Sequence, residues 1–463
     1  MLSPSATPPQ TPDTLDDAAR RMNGARRRVA VVGSGISGLA AASQLAAHAA
    51  VVLFEADSHF GGHAHTVDLT LDGVTHGVDT GFLVFNHATY PKLVRLFADL
   101  QVPTAPAEMS FSVQVPALDL EWSGSNLDTV FAQRRNLFNP RFLCMLRDLM
   151  RFNRLTTAIA EAQQEAALQQ SIADFLAEQR FSAAFRDWYL LPMLGCIWSC
   201  PTDQMLRFPV ATMIRFCHNH GLIRVTDRPQ WHTVRGGSRE YVRRLLARIP
   251  DARRNCPVLA LRRVPPDSAS AGVWLDTAQG SEHFDEVVLA GHSGQSLALL
   301  GGHASAAERQ VLGAIRTQRN RALLHTDASL LPKRKKAWAA WNYARSADVA
   351  QEQSAVCLHY LINRLQPLPW AQPVLVSLNP TREPAPGTLH GEYDYAHPVF
   401  DQAAIEAQRR LPQIQGQGHV WFAGAWTRYG FHEDGLASGL AVADALRQHW
   451  ATRGPAAQTR SAA

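Results

Sequence analysis

Six consecutive residues constrain the fold of this chain more than any others: Gly33-Ser34-Gly35-Ile36-Ser37-Gly38. They follow the apolar run Arg28-Val29-Ala30-Val31-Val32 and precede an Ala/Leu-rich stretch from Leu39 to Ala50. A second apolar run, Val51-Val52-Leu53-Phe54, comes next. Strand, glycine turn, helix and strand within about 30 residues make a βαβ unit. Gly33 permits the tight turn, Gly35 lets a pyrophosphate approach the backbone, and Gly38 lets the helix pack close to the sheet. Free N–H groups and the helix dipole then favour an anion at Ile36 and Ser37. Glu55, followed by Ala56, ends the second strand about 20 residues on, placed for ribose hydroxyls.

The rest of the chain must house that unit. At 463 residues it is long enough for two or three domains or one interleaved α/β body. No apolar run reaches about 18 residues without a charge or proline, so no membrane-spanning helix is expected. Six cysteines without a CxxC pair exclude a disulfide framework, argue against a thiolate metal site and point to a reducing cytoplasm. The net charge of +5 is mild for a nucleic-acid binder, and none is expected as a partner. Lysine occurs only at Lys92, Lys333, Lys335 and Lys336. The cluster Lys333-Arg334-Lys335-Lys336 reads as a solvated loop or as a weak patch for anionic lipid headgroups. Pattern changes along the chain divide it. A nucleotide-binding α/β domain takes residues 26–105, 228–305 and 415–452. A second, α+β domain takes 106–227, mostly helical, and 306–414. A disordered tail is expected at 1–25 and a short tail at 453–463.

Two more motifs accompany the first. Phe60-Gly61-Gly62-His63 follows Glu55 closely, and near the C-terminus Phe422-Ala423-Gly424-Ala425-Trp426 precedes Gly435-Leu436-Ala437-Ser438-Gly439. A strand ending in Ala-Gly and a helix starting near Gly435 offer a further helix N-terminus to a phosphate or flavin oxygen. Together these motifs resemble the flavin amine oxidase superfamily. Longer strings, such as Val78-Asp79-Thr80-Gly81-Phe82 and Ala339-Ala340-Trp341-Asn342-Tyr343, resemble one branch of amine-oxidase-like proteins associated with cyclopropane-fatty-acid synthases.

The resemblance implies an α/β fold with an FAD-binding Rossmann-type domain and an interleaved α+β substrate domain. By it, Gly33, Gly35, Ile36, Ser37, Gly38, Glu55 and Ala56 hold the ADP half of FAD, and Gly61, Gly62 and His63 follow the diphosphate. Many relatives carry Arg where this chain has His63. Val258 corresponds to a residue that contacts adenine through its backbone. Gly236-Gly237 corresponds to the entry into the next helix. Gly424, Trp426, Asp434, Gly435 and Leu436 meet the ribityl chain and the pyrimidine end of the flavin. No cysteine follows Cys357, so the FAD is expected to be non-covalent. Amine oxidases often place a lysine near the flavin, and the comparable stretch here has only Asn320 or Arg321. Trp426 and Tyr429 could supply part of an aromatic pair. His432, Glu433 and Asp434 fall near the flavin, where one could act as acid or base, or Asp434 could cap the last helix.

The stretch Trp188 to Trp198 is too apolar for an exposed helix. It reads as core packing or as the wall of a long hydrophobic tunnel. Cys196 and Cys200 read as buried core thiols, and the histidines as polar residues with satisfied partners rather than metal ligands. The expected function is an FAD-dependent oxidoreductase taking a hydride from a hydrophobic small molecule or lipid, with desaturation of a phospholipid acyl chain as its most specific form. No second GxGxxG is present, so reoxidation falls to dioxygen or another acceptor. The alternatives are an amine oxidase releasing hydrogen peroxide, a non-catalytic FAD-binding partner of a lipid methyltransferase, and an NAD dehydrogenase. The branch resemblance implies lipid metabolism, a lipid methyltransferase partner and peripheral contact with the inner face of the membrane.

Overall fold

The structure is a computed structural model that describes residues 26–452 except 165–167, 169, 225–227, 265–270 and 347–354. The tails expected at 1–25 and 453–463 lie outside the described residues. Strand β1 (Arg28–Val32), helix α1 (Ile36–Leu45) and strand β2 (Ala50–Phe54) form the βαβ unit. They belong to a five-stranded parallel sheet in the order Asp251–Arg253, β2, β1, Glu286–Leu289, Val420–Phe422. The sheet thus gathers strands from three distant stretches of chain.

Its strands read as continuous apolar runs because both faces are covered. Alternate side chains go to two different cores. Val29, Val31, Val51, Leu53 and Val288 pack with α1. Ala30, Val52, Phe54, Val287 and Leu289 pack on the other face, with Leu275, Leu300 and Val311. Each fully buried Val or Leu contributes roughly 1.5–3 kcal/mol relative to an exposed one.

A seven-stranded sheet forms the second layer. It begins with β4 (Leu389–Pro398) and β3 (Thr317–His325), then Leu375–Leu378, Leu358–Leu361, Trp341–Ala344, Phe111–Val115 and Leu120–Ser123. All pairs are antiparallel except Trp341–Ala344 with Phe111–Val115. Residues Phe111–Val115 and Leu120–Ser123 pair as a hairpin. Pro116 cannot donate to a ladder, and Asp119 turns the chain with a left-handed φ of 45°. The helices expected within 106–227 include the short α2 (Leu127–Val130), α3 (Pro140–Glu161), Leu191–Trp198, which packs on Trp341–Ala344, and Val210–Asn219, which packs on α3. Among the described residues no helix is long and apolar enough to cross a membrane, and no group of three His, Cys, Asp or Glu is placed to hold a metal. All six cysteines are free.

The C-terminal helix His432–Thr452 lies directly on α1. A Cβ on Gly439 would overlap the Ser37 carbonyl, and one on Gly435 would press on the Ile36 side chain. A Cβ on Gly38 would overlap the Gly33 carbonyl. Gly38→Ala and Gly439→Ala are therefore each expected to cost at least about 2 kcal/mol, since backbone cannot yield as a side chain can. Gly294→Ala, in a helix with open space at its Cβ, should be neutral or stabilising by about 0.5–1 kcal/mol. Thermal and urea midpoints of the three variants check this ordering.

Candidate active site

A cavity of about 1450 Å³ lies at the C-terminal ends of the parallel strands. Gly33 follows β1, Glu55 follows β2, Gly291 follows Glu286–Leu289 and Gly424 follows Val420–Phe422, and all four line it. Open α/β sheets bind ligands at this end of their strands.

The glycine loop is built for a group that approaches from the cavity. Gly33 has φ +101° and receives the chain from β1. Gly35 has φ −59° and ψ 173°, and a Cβ there would meet nothing within 4 Å. Gly62, at φ +57°, stands over it, so that a Cβ on Gly62 would lie 3.2 Å from the Gly35 Cα. Glu55 ties the two loops together. Its Oε2 accepts from the Ser34 N–H at 2.9 Å and the Ser34 hydroxyl at 2.5 Å, and its Oε1 accepts from the Asp57 N–H at 2.9 Å. The Gly61 N–H donates to the Ser34 hydroxyl at 3.0 Å. No side chain caps the N-terminus of α1, and no acidic residue sits in its first turn. Open backbone at Gly35, uncapped helix N–H groups and a carboxylate at the strand end suit the diphosphate and ribose of a dinucleotide.

The far wall comes from β4. Across the ladder Tyr393 pairs with Ala322 and Tyr395 with Asn320. Tyr393, Tyr395 and His397 alternate along the strand and line the cavity. The Tyr395 hydroxyl lies 2.6 Å from the Thr80 hydroxyl and 3.0 Å from His65 Nδ1. The His397 Nδ1 takes the Asn320 amide at 2.8 Å. His63 meets His397, Tyr395 and His292 at ring-centroid distances of 5.2, 5.1 and 6.2 Å. Burial, then the neighbouring His397 and His292, hold His63 well below the usual histidine range. The second glycine loop therefore presents a neutral ring to the cavity. Burial lowers His397 to about 4 and His432 to about 3. His432 stacks on Phe82 at 3.7 Å, and its Nε2 lies 2.8 Å from the Tyr241 hydroxyl.

Of the residues singled out from the sequence, Gly33, Gly35, Ile36, Ser37, Glu55, Gly61, Gly62, His63, Gly424, Trp426 and His432 line the cavity. Gly38, Ala56, Val258, Asp434, Gly435 and Leu436 do not. Gly38, Gly435 and Leu436 pack beneath it, and Asp434 accepts the Phe431 N–H at 3.1 Å, closing the first turn of its own helix. Glu433 is used elsewhere too, accepting the Lys92 and Leu93 N–H groups at 2.9 Å each.

Two catalytic expectations need correction. Arg321 is outside the cavity, its guanidinium held by Glu383 and Glu392. Strand alternation puts Asn320, not Arg321, on the face shared with Tyr395. Tyr429 also lies off the cavity that Trp426 lines, its ring 6.0 Å from that of Phe216. Trp426 is pinned through Nε1 to the Gly291 carbonyl at 3.0 Å. The residues missed in the sequence are His292, Tyr393, Tyr395 and His397. The alternation Tyr393-Asp394-Tyr395-Ala396-His397 carried the signal, as did the position of His292 just past a strand end.

A dinucleotide cradle at the strand ends, joined to a second, mostly antiparallel layer, defines a two-layer nucleotide-binding α/β fold. The chain belongs to the family of flavin-containing amine oxidoreductases, whose model matches residues 36–309, more than half its length. It is an FAD-dependent oxidoreductase. Solved structures share the fold. Cyclohexylamine oxidase from Brevibacterium oxydans superposes with a TM-score of 0.62 at 18% identity, over 91% of this chain and 100% of that one. A CLA-producing fatty acid isomerase from P. acnes gives 0.61 at 15%, over 92% and 99%. Putrescine oxidase bound to putrescine gives 0.62 at 15%, over 91% and 99%. Comparison with the curated proteins gave no match.

Two outcomes are expected. Gly35→Trp fills the open space over the loop without backbone strain, so the protein should fold with its apo stability intact yet yield no acid-extractable flavin. The second concerns His432. Its lowered pKa means the folded state excludes a proton that the unfolded state takes up below about 6.5. Its contribution to stability is complete above pH 6.5 and is lost as pH falls toward about 3. Urea unfolding of wild type and His432→Gln should thus converge, by up to about 1.4 kcal/mol for each pH unit below 6.5.

Proposed function

We propose that this chain oxidises a long apolar substrate, and that the substrate is a phospholipid acyl chain undergoing desaturation. The observation that carries the reading is the wall formed by the apolar insert. Tyr189, Met193, Cys196 and Ile197 fall at i, i+4, i+7 and i+8, and all four line the cavity. Leu146, Leu149 and Trp122 line it beside them. At about 1450 Å³ the cavity exceeds the roughly 300–1,000 Å³ of a usual ligand pocket, which leaves room beyond a dinucleotide.

The charges support the same reading. Away from Glu55 and Asp57 at the nucleotide end, the lining carboxylates are Glu108 and Asp394. Glu108 is paired with Arg364 at 2.7 Å and Asp394 with Arg319 at 3.0 Å. Neither is free to hold a substrate ammonium. When bound, FAD supplies the two-electron acceptor for a hydride. The chain's own residues position the substrate, exclude water with an apolar wall, and keep His63, His397 and His432 unprotonated. With no cysteine after Cys357, the FAD is held non-covalently. The branch resemblance pairs such chains with cyclopropane-fatty-acid synthases. A methyltransferase acting on the same acyl chains fits as a partner, and the inner membrane face as the place of work.

Anaerobic loss of the flavin's visible absorbance tests the reading. Membrane phospholipid, polyamines and amino acids are added to the holoprotein in separate cuvettes. Bleaching by phospholipid alone is the expected result. Bleaching by an amine would make the chain an amine oxidase in the strict sense, and bleaching by none of them would favour a non-catalytic partner.

A further inference from the structure

Large apolar side chains are exposed mostly in one place. Six of the nine such residues among those described fall between 118 and 150: Leu118, Leu127, Leu137, Phe138, Leu143 and Met150. Phe138 is 87% exposed, Leu127 78% and Met150 56%. Single exposed leucines need no explanation, but a cluster of this kind marks an interaction surface. Leu143, Arg147, Met150 and Arg154 recur at i, i+4, i+7 and i+11, so one exposed stripe of α3 alternates apolar and basic groups. Leu118, Phe138, Arg135 and Arg141 border one shallow groove.

The basic run joins this face through one carboxylate. Asp128 on α2 binds Arg134 and, at 2.9 Å, the Lys336 ammonium. Residues 118–154 and 333–336 together hold ten Lys or Arg and four Asp or Glu. That is an excess of six, where the whole chain has an excess of five. Two of the four carboxylates, Glu121 and Asp148, are buried. The cavity opens at the same place. Leu127 and Met150 are exposed and also line it, with Val130, Leu146 and Leu149 behind them.

We propose that this face docks on an anionic lipid bilayer, with the cavity mouth between α2 and α3 opening into the acyl region. The proposal rests on the lipid-substrate reading and gives it a route, in which an acyl chain slides from the bilayer into the cavity without crossing water. Apolar side chains rimmed by lysine and arginine have the makeup of an interfacial surface. A second copy of the chain is a poor occupant, because a symmetric contact would set this excess of cations against itself.

Pelleting with sucrose-loaded vesicles tests the surface on the full-length holoprotein. Vesicles of phosphatidylcholine with phosphatidylglycerol should bind it at least about ten-fold more tightly than phosphatidylcholine alone, and high salt should weaken that binding. Leu137→Glu with Phe138→Glu, and separately Lys333→Glu with Lys335→Glu, should each weaken it by about ten-fold or more while the flavin spectrum and thermal midpoint stay as in wild type. Failure to pellet with the anionic vesicles overturns the proposal, as does unchanged pelleting of both variants. It is also overturned if the variants instead turn a dimer into a monomer in sedimentation velocity. Pelleting needs no turnover, so the two ideas fail separately. Vesicle binding without bleaching by lipid supports the surface and removes the acyl substrate. Bleaching by detergent-dispersed lipid without vesicle binding does the reverse.

Discussion

The contact on which the site depends is the crossing of the C-terminal helix over the first turn of α1. Gly439 lies against the Ser37 backbone carbonyl, and Gly435 against the Ile36 side chain. Ala40, Ala41 and Ala42 keep α1 thin along its buried length. This approach brings the last strand, Val420–Phe422, and the turn after it to the same sheet end as Gly35. Residues almost 400 positions apart in sequence thereby share one cavity. The three ionisable residues at the head of the helix then take separate tasks. His432 faces the cavity, Glu433 caps the helix Pro91–Asp99, and Asp434 caps its own.

A second constraint is that the site carries little unpaired negative charge. Burial keeps the histidines at the nucleotide end neutral, and the carboxylates near the substrate end are already paired. Two carboxylates nearby are buried: Asp434, which caps its own helix, and, deeper, Asp79. Burial raises Asp79 to about 6, although it accepts the Ser238 N–H and hydroxyl, the Thr66 hydroxyl and the Gln366 amide. That cluster fastens the Gly236-Gly237 turn, at φ +78° and +91°, to the strand pair Thr66–Leu71 and Val74–Asp79. Its task is to hold the floor under the second glycine loop. A substrate ammonium would meet only carboxylates that already have partners, whereas an apolar chain needs no counter-charge.

Much of this was legible in the sequence wherever one residue type is the only physical solution. Gly38 and Gly439 sit where backbone comes too close for any side chain, Gly33 takes a φ of +101° that side chains rarely adopt, and a glycine spaced as a motif announces each. The parallel strands were legible because burial on both faces leaves an unbroken apolar run. What stayed hidden depended on register. Asn320 and Arg321 are adjacent, and one step along the strand moves a side chain to the opposite face. Only the pairing of β3 with β4 decides that Asn320 shares a face with Tyr395 while Arg321 meets Glu383 and Glu392. His292 and His397 were hidden for a related reason. They come from different strands and meet His63 only once both sheets are assembled.

The apolar insert shows why composition alone left two readings open. Core packing and a tunnel wall call for the same residues, and here one helix supplies both. Leu190, Leu191 and Leu194 are buried away from the cavity, while Tyr189, Met193, Cys196 and Ile197 line it. A π-helical turn at Arg186–Leu190 leads into Leu191–Trp198, so the phase of the lining face is set where the helix is wound differently. Burial pushes the Cys196 thiol well up, and it faces the cavity as a small apolar group. Gly195 beside it lies within 3.0 Å of Val356 and 3.2 Å of Tyr343, measured from where a Cβ would stand. The helix is thus seated on the second sheet through its glycine and presents its apolar face to the cavity. That arrangement separates a helix that lines a cavity from one that only fills a core.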